Sequence, residues 1–158
     1  MHHYITSSSA DTADFGCVLS SVLLPGDVVL LSGELGAGKS VLARGIARGL
    51  DITDNMPSPT FTLMQPYTGR IPLYHFDLYR LNGADAFFEA GLDEFLTATG
   101  ISVIEWPDCI MAELEKFMCL RISRQTNNEA RRITLSVNGD QSRLTKLESV
   151  LSKWSAHI

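Results

Sequence analysis

Apolar residues recur at helical spacing early in the chain. Phe15, Val18, Leu19, Val22 and Leu23 share one face after a serine-rich start, and Pro25-Gly26-Asp27 ends the run. Ser9 reads as the N-cap of that helix. The pattern then changes. Residues 28–31 form a short, unbroken apolar run, as expected of a parallel strand covered on both faces. A glycine-bearing turn at 33–38 leads into residues 39–50, where Val41, Leu42, Ile46 and Leu50 mark one side of a second helix. The chain is therefore predicted to open as helix, strand, loop, helix.

Residues 52–62 hold Pro57 and Pro59 and read as loop. Residues 60–65 and 71–76 read as strands joined through 66–69. Residues 84–97 suggest one or two short helices, with Phe87, Phe88, Leu92 and Phe95 packed under a sheet edge. Residues 101–104 are another buried strand, ending at Glu105 and broken by Pro107. Residues 117–123 and 132–137 alternate apolar with polar, which fits an antiparallel pair. A last helix over 143–156 presents Leu144, Leu147, Val150, Leu151 and Trp154 for packing. Helices interleaved with apolar strands predict an α/β layered fold.

With 158 residues, no repeat and no long polar linker, the chain suits a single domain over 1–158. Its 45% hydrophobic and 20% charged content excludes a disordered tail or low-complexity scaffold. The net charge of -5 argues against autonomous nucleic-acid binding. Arg121, Arg124, Arg131 and Arg132 are clustered, however, either as a solvated strand edge or as a phosphate or partner contact. Cys17, Cys109 and Cys119 form no CxxC pair, so reduced thiols and a cytoplasmic location are expected, with Cys17 and Cys119 in the core. No apolar run is long enough for a membrane span, and the first residues lack the pattern of a signal peptide.

The sharpest chemical signal is GELGAGKS at 33–40, which fits G-x-x-x-x-G-K-[ST] between an apolar strand and an amphipathic helix. Gly33, Gly36 and Gly38 leave room for backbone N–H groups to converge on phosphate oxygens. The following helix contributes its unpaired N–H groups and positive dipole end. Lys39 supplies charge for the terminal phosphates, and Ser40 a hydroxyl oxygen for Mg²⁺. The metal also needs a carboxylate at a strand end. Glu105 and Asp77 both qualify, one directly and one through water. Asp77, Glu105 and Thr60 are the candidates for positioning water. His75 is expected on the opposite strand face, as a core histidine.

A small GTPase would carry N-K-x-D and D-x-x-G, and neither string occurs. A small-molecule kinase stays open, with Arg80, Arg124 or Arg131 over the phosphates, and so does a nucleotide-gated docking module with incidental hydrolysis. Four separated strings together narrow the choice: GELGAGKS at 33–40, SPTFTL at 58–63, HFDLYRL at 75–81 and IEWPD at 104–108. They resemble the bacterial tRNA threonylcarbamoyladenosine biosynthesis ATPase family, TsaE or YjeE, over residues 9–137.

The resemblance implies a P-loop NTPase-like three-layer fold with a mostly parallel central sheet and an antiparallel extension. It implies a weak Mg²⁺-dependent ATPase, binding ATP and ADP, that drives or resets two partner proteins of the threonylcarbamoyl-transferase complex, of the TsaD and TsaB type. Their product is N6-threonylcarbamoyladenosine at position 37 of tRNAs reading ANN codons, and tRNA contact by this chain is expected to be indirect. Gly36, Ala37, Gly38, Lys39, Ser40 and Val41 match the family's nucleotide-contacting loop, with Ser40 where Thr is usual. Glu105 matches its metal-associated Glu and Asp77 an important Asp. Trp106 matches an aromatic at the active site or partner face. Thr60 and Thr62 match a switch-like segment, and residues 9–12, with Thr12, a region near the adenine. Near residue 128 the family's Gly-Arg is replaced by Asn127-Asn128, so Arg131 is expected to substitute for the missing arginine.

Overall fold

The computed structural model describes residues 1–59, 61–96, 99–126 and 128–157. In chain order the elements are β1 (His2–Thr6), α1 (Ser9–Ser20), β2 (Val28–Ser32), α2 (Lys39–Gly49), β3 (Met64–Tyr67), β4 (Leu73–Asp77), α3 (Ala84–Glu89), β5 (Ile101–Glu105), β6 (Phe117–Arg124), β7 (Arg131–Asn138) and α4 (Arg143–Leu151). Short 3-10 turns lie at Leu92–Phe95, Pro107–Cys109, Met111–Glu113 and Ser152–Trp154. One seven-stranded sheet runs in the order β1-β7-β6-β2-β5-β4-β3. β6, β2, β5 and β4 are parallel to their neighbours within that group, and β3, β7 and β1 add antiparallel strands at the two flanks.

The continuous apolar runs account for the centre. β5 is buried along its whole length and β2 along all but its last residue, so both need cover on each face. Val29, Leu31, Leu73, Ile101 and Val103 pack with Leu42 and Ile46 of α2, Phe15 and Leu19 of α1, and Leu147 and Leu151 of α4. Val28, Leu30, Phe76 and Ile104 point the other way, onto Phe87, Leu92 and Ile110 from the short helical segments. The result is the three-layer α/β arrangement expected of a P-loop NTPase-like fold.

α1 and α2 touch through their backbones. A Cβ on Gly45 would stand 2.2 Å from the Ala13 carbonyl oxygen, and one on Gly16 would stand 2.6 Å from that of Leu42. Only glycine permits this approach, and it fixes the helix that carries Lys39 and Ser40 against its neighbour.

Several local expectations shift. The N-cap of α1 is Ser8, whose Oγ accepts from Asp11 N–H at 3.0 Å; Ser9 is already helical. β3 begins at Met64, and the residues before it turn, with Leu63 at φ 65°. β1 was not foreseen. It pairs with β7, a partner at the other end of the chain, and buries only Tyr4 and Thr6, too short an alternation to stand out. Cys119 is buried but Cys17 only half-buried, because Cys17 lies at the side of α1 and not on its inward face. No helix among the described residues is long and apolar enough to cross a membrane.

A candidate phosphate site at the carboxyl ends of the parallel strands

β2, β4 and β5 end at Ser32, Asp77 and Glu105, on the same edge of the sheet. Open parallel sheets place their ligands outside such carboxyl ends. Here the chain leaves β2 through the glycine loop and enters α2 at Lys39. Gly33 has φ 148°, and a Cβ there would sit 2.3 Å from the Ile122 carbonyl oxygen. Gly38, at φ 116°, is the N-cap of α2 and offers no side-chain cap. The first amides of α2 therefore have no intrahelical acceptor and face outward with the positive end of the helix dipole.

Lys39 is buried, and its Nζ donates to the carbonyls of Gly33 at 2.6 Å and Glu34 at 2.7 Å. The same Nζ lies 4.0 Å from the ring centroid of Trp106, a residue held at φ 57°. Burial lowers the Lys39 pKa, opposed by the nearby carboxylates of Glu105, Asp77 and Asp108. Ser40 Oγ donates to Glu105 Oε1 at 3.0 Å. Glu105 Oε2 pairs with His75 Nε2 at 2.6 Å. Asp77 Oδ2 accepts from Ser58 Oγ at 2.8 Å and Oδ1 from Tyr79 N–H at 3.0 Å.

Asp77 and Glu105 are register partners across β4 and β5, so two carboxylates stand side by side. Like charges this close are unfavourable unless a cation lies between or beside them. Lys39 is one such cation, and a divalent ion is the other kind that this oxygen set suits.

Two arginines from the β6–β7 hairpin hold the loop from outside. Arg131 Nε donates to the Ala37 carbonyl at 2.8 Å, and Arg124 Nε to that of Gly36 at 3.1 Å. The loop borders a cavity of about 600 Å³.

Of the residues singled out from sequence, Thr12, Gly36, Gly38, Lys39, Ser40, Val41, Asp77, Glu105, Trp106 and Arg131 line this one cavity. Gly33 and Ala37 do not reach its wall. Gly33 packs on Ile122 and Ala37 is buried, so both shape the loop from behind. Thr62 is exposed and borders a neighbouring cavity with Phe61. Thr60 lies outside the described residues. His75 was expected on the opposite strand face; it shares the face of Asp77, because residues two apart in a strand point the same way. Ser58 and Tyr79 also line the cavity, beyond the residues that the sequence pattern predicts, and both lie within the SPTFTL and HFDLYRL strings.

A mixed sheet with a parallel centre, whose middle strand runs through a glycine loop into a helix with acids at the adjoining strand ends, defines the class of P-loop NTPase-like folds. The family model described as "Threonylcarbamoyl adenosine biosynthesis protein TsaE" matches residues 6–134, and the chain belongs to that family. The tRNA threonylcarbamoyladenosine biosynthesis protein TsaE of Treponema pallidum (strain Nichols) is 41% identical over 128 residues, spanning 79% of this chain and 95% of that one. The protein of the same name from Bacillus subtilis (strain 168) is 34% identical over 137 residues, spanning 86% and 85%. The crystal structure of Bacillus subtilis YdiB superposes with a TM-score of 0.78 at 32% identity, covering 96% of this chain and 93% of that one.

Proposed function

We propose that this chain is the ATP-hydrolysing subunit of the assembly that forms N6-threonylcarbamoyladenosine at position 37 of tRNAs reading ANN codons. The observation that carries the reading is the convergence of Lys39, Ser40, Asp77 and Glu105 at the mouth of an uncapped helix. Family membership adds the pathway: the relatives are named for threonylcarbamoyladenosine biosynthesis.

The donor set fits Mg²⁺. Ser40 Oγ and Glu105 Oε1, hydrogen-bonded at 3.0 Å, would be hard oxygen donors to it, with the Asp77 carboxylate on the next strand. Among the described residues no group of three His, Cys, Asp or Glu side chains forms a closed metal cage. Mg²⁺ commonly binds through one or two protein oxygens, with phosphate and water completing its sphere. Ser40 and Glu105 would hold it, and when bound it neutralises charge on the terminal phosphates.

The protein's own groups do the rest. The α2 amides bind phosphate oxygens, Lys39 supplies positive charge, and Asp77 orients water. Arg124 and Arg131 keep the loop in shape. The chain works in the cytoplasm, consistent with three unpaired cysteines. It acts on two partners of the TsaD and TsaB type, reaches tRNA only through them, and hydrolyses slowly alone.

Leu35, Phe61 and Tyr79 are exposed beside the cavity, which favours a second reading, a docking module gated by nucleotide. Calorimetry with ADP and ATP, with and without Mg²⁺, tests the site. Absence of binding overturns both readings. Multi-turnover tRNA modification with a non-hydrolysable ATP analogue selects the docking module.

A further inference from the structure

We infer that His75 is a positioning residue for Glu105: the hydrogen bond from its imidazole fixes the carboxylate so that Oε1 faces Ser40 and the cation site. The inference rests on the Mg²⁺-nucleotide reading above. His75 lies on β4 opposite Val103 of β5, and the parallel register puts Glu105 two residues further along the same face. Both side chains are enclosed, His75 being 1% and Glu105 3% exposed. A carboxylate oxygen accepts, so His75 Nε2 carries the proton in the 2.6 Å contact. Glu105 Oε1 is then left to the Ser40 hydroxyl, 3.0 Å away.

Among the described residues His75 Nδ1 has no partner. The imidazole's hydrogen bonding is thus directed at Glu105 alone. A residue whose task was to fill space would be better apolar here, because a buried nitrogen without a partner is unfavourable. Carboxylates that ligate metals are themselves held by hydrogen bonds in this way, and such outer partners tune metal affinity.

The test compares His75→Asn with His75→Gln, using ADP and Mg²⁺ in calorimetry. The glutamine amide reaches the position of Nε2; the shorter asparagine amide stops near Nδ1. His75→Asn is expected to keep ADP affinity in EDTA within about twofold and to lose roughly tenfold in Mg²⁺ affinity. His75→Gln is expected to recover most of that loss. His75→Leu, which removes the donor with similar bulk, repeats the asparagine result and stands in if that variant does not fold.

A wild-type Mg²⁺ titration in His75→Asn or His75→Leu overturns the inference. So does an equal fall of EDTA and Mg²⁺ affinities in all variants, the mark of a merely structural role. Wild-type ADP binding that is unaltered by Mg²⁺ overturns the inference alone, whereas no ADP binding with or without Mg²⁺ means that the nucleotide reading itself fails and the inference goes with it.

Discussion

Two loops border the same cavity and are held in opposite ways. The glycine loop is fastened on every side: Gly33 lies against Ile122, Ala37 N–H bonds the Glu34 carbonyl at 3.1 Å, and two arginines grip Gly36 and Ala37. Its following helix is locked to α1 through glycines. Among its described residues, the segment from Pro57 to Leu63 is tied to Asp77, whose N–H bonds the Leu63 carbonyl at 2.9 Å. Ser58 bonds Asp77, Leu63 N–H bonds the Pro59 carbonyl, and Phe61 is 84% exposed beneath the Arg80 guanidinium. Leu63 adopts φ 65°, a left-handed conformation that costs a non-glycine residue roughly 1 kcal/mol. The contrast assigns different work to each. A loop held in one shape by its own contacts has little further entropy to lose on taking a ligand. Among its described residues, the other segment meets the site through Asp77, so a change of partner at that carboxylate is expected to reach it directly.

The comparison can be broken in order of expected effect. Gly45→Val forces α1 and α2 apart and is expected to lower stability by about 3 kcal/mol or more, read by thermal unfolding. A normal melting temperature would show that the helix platform is not fixed. Lys39→Ala is expected to weaken ATP affinity by roughly 100-fold, since it removes charge-assisted hydrogen bonds. Unchanged affinity in calorimetry would remove the loop from the nucleotide site.

Arg131→Ala is expected to weaken binding by roughly tenfold, because the Ala37 carbonyl loses its guanidinium donor and the loop its shape. Ser58→Ala should change affinity by only about threefold and leave the melting temperature nearly unaltered, being one hydrogen bond in an exposed segment. A larger loss from Ser58→Ala than from Arg131→Ala would reverse the assignment of the two loops.

The smallest effect concerns pH and the platform itself. Asp11 is pushed up by burial, but hydrogen bonds from Trp154 and Ser7 outweigh this and bring its pKa below the ordinary carboxylate value. A depressed carboxylate contributes stability that is complete above the unfolded pKa and is lost as pH falls through the folded one. Acidification below the usual carboxylate range should therefore loosen the C-terminal turn from α1, followed as a change in tryptophan emission. Asp11→Asn should remove that step in the titration.

What the chain's order of residues determined was local. The apolar runs of β2 and β5, the glycine loop between β2 and α2, and the acids closing β4 and β5 were all legible, because each is written in neighbouring positions. Pairing across distance was not. β1 became visible only against β7, and the start of β3 only against Phe76 of β4. The hold of Arg131 on Ala37, of Ser58 on Asp77 and of His75 on Glu105 depends on which strands and loops lie side by side. Periodicity says which face a residue occupies, but only the folded sheet brings two such faces within hydrogen-bonding distance, because that distance is set by strand order and register.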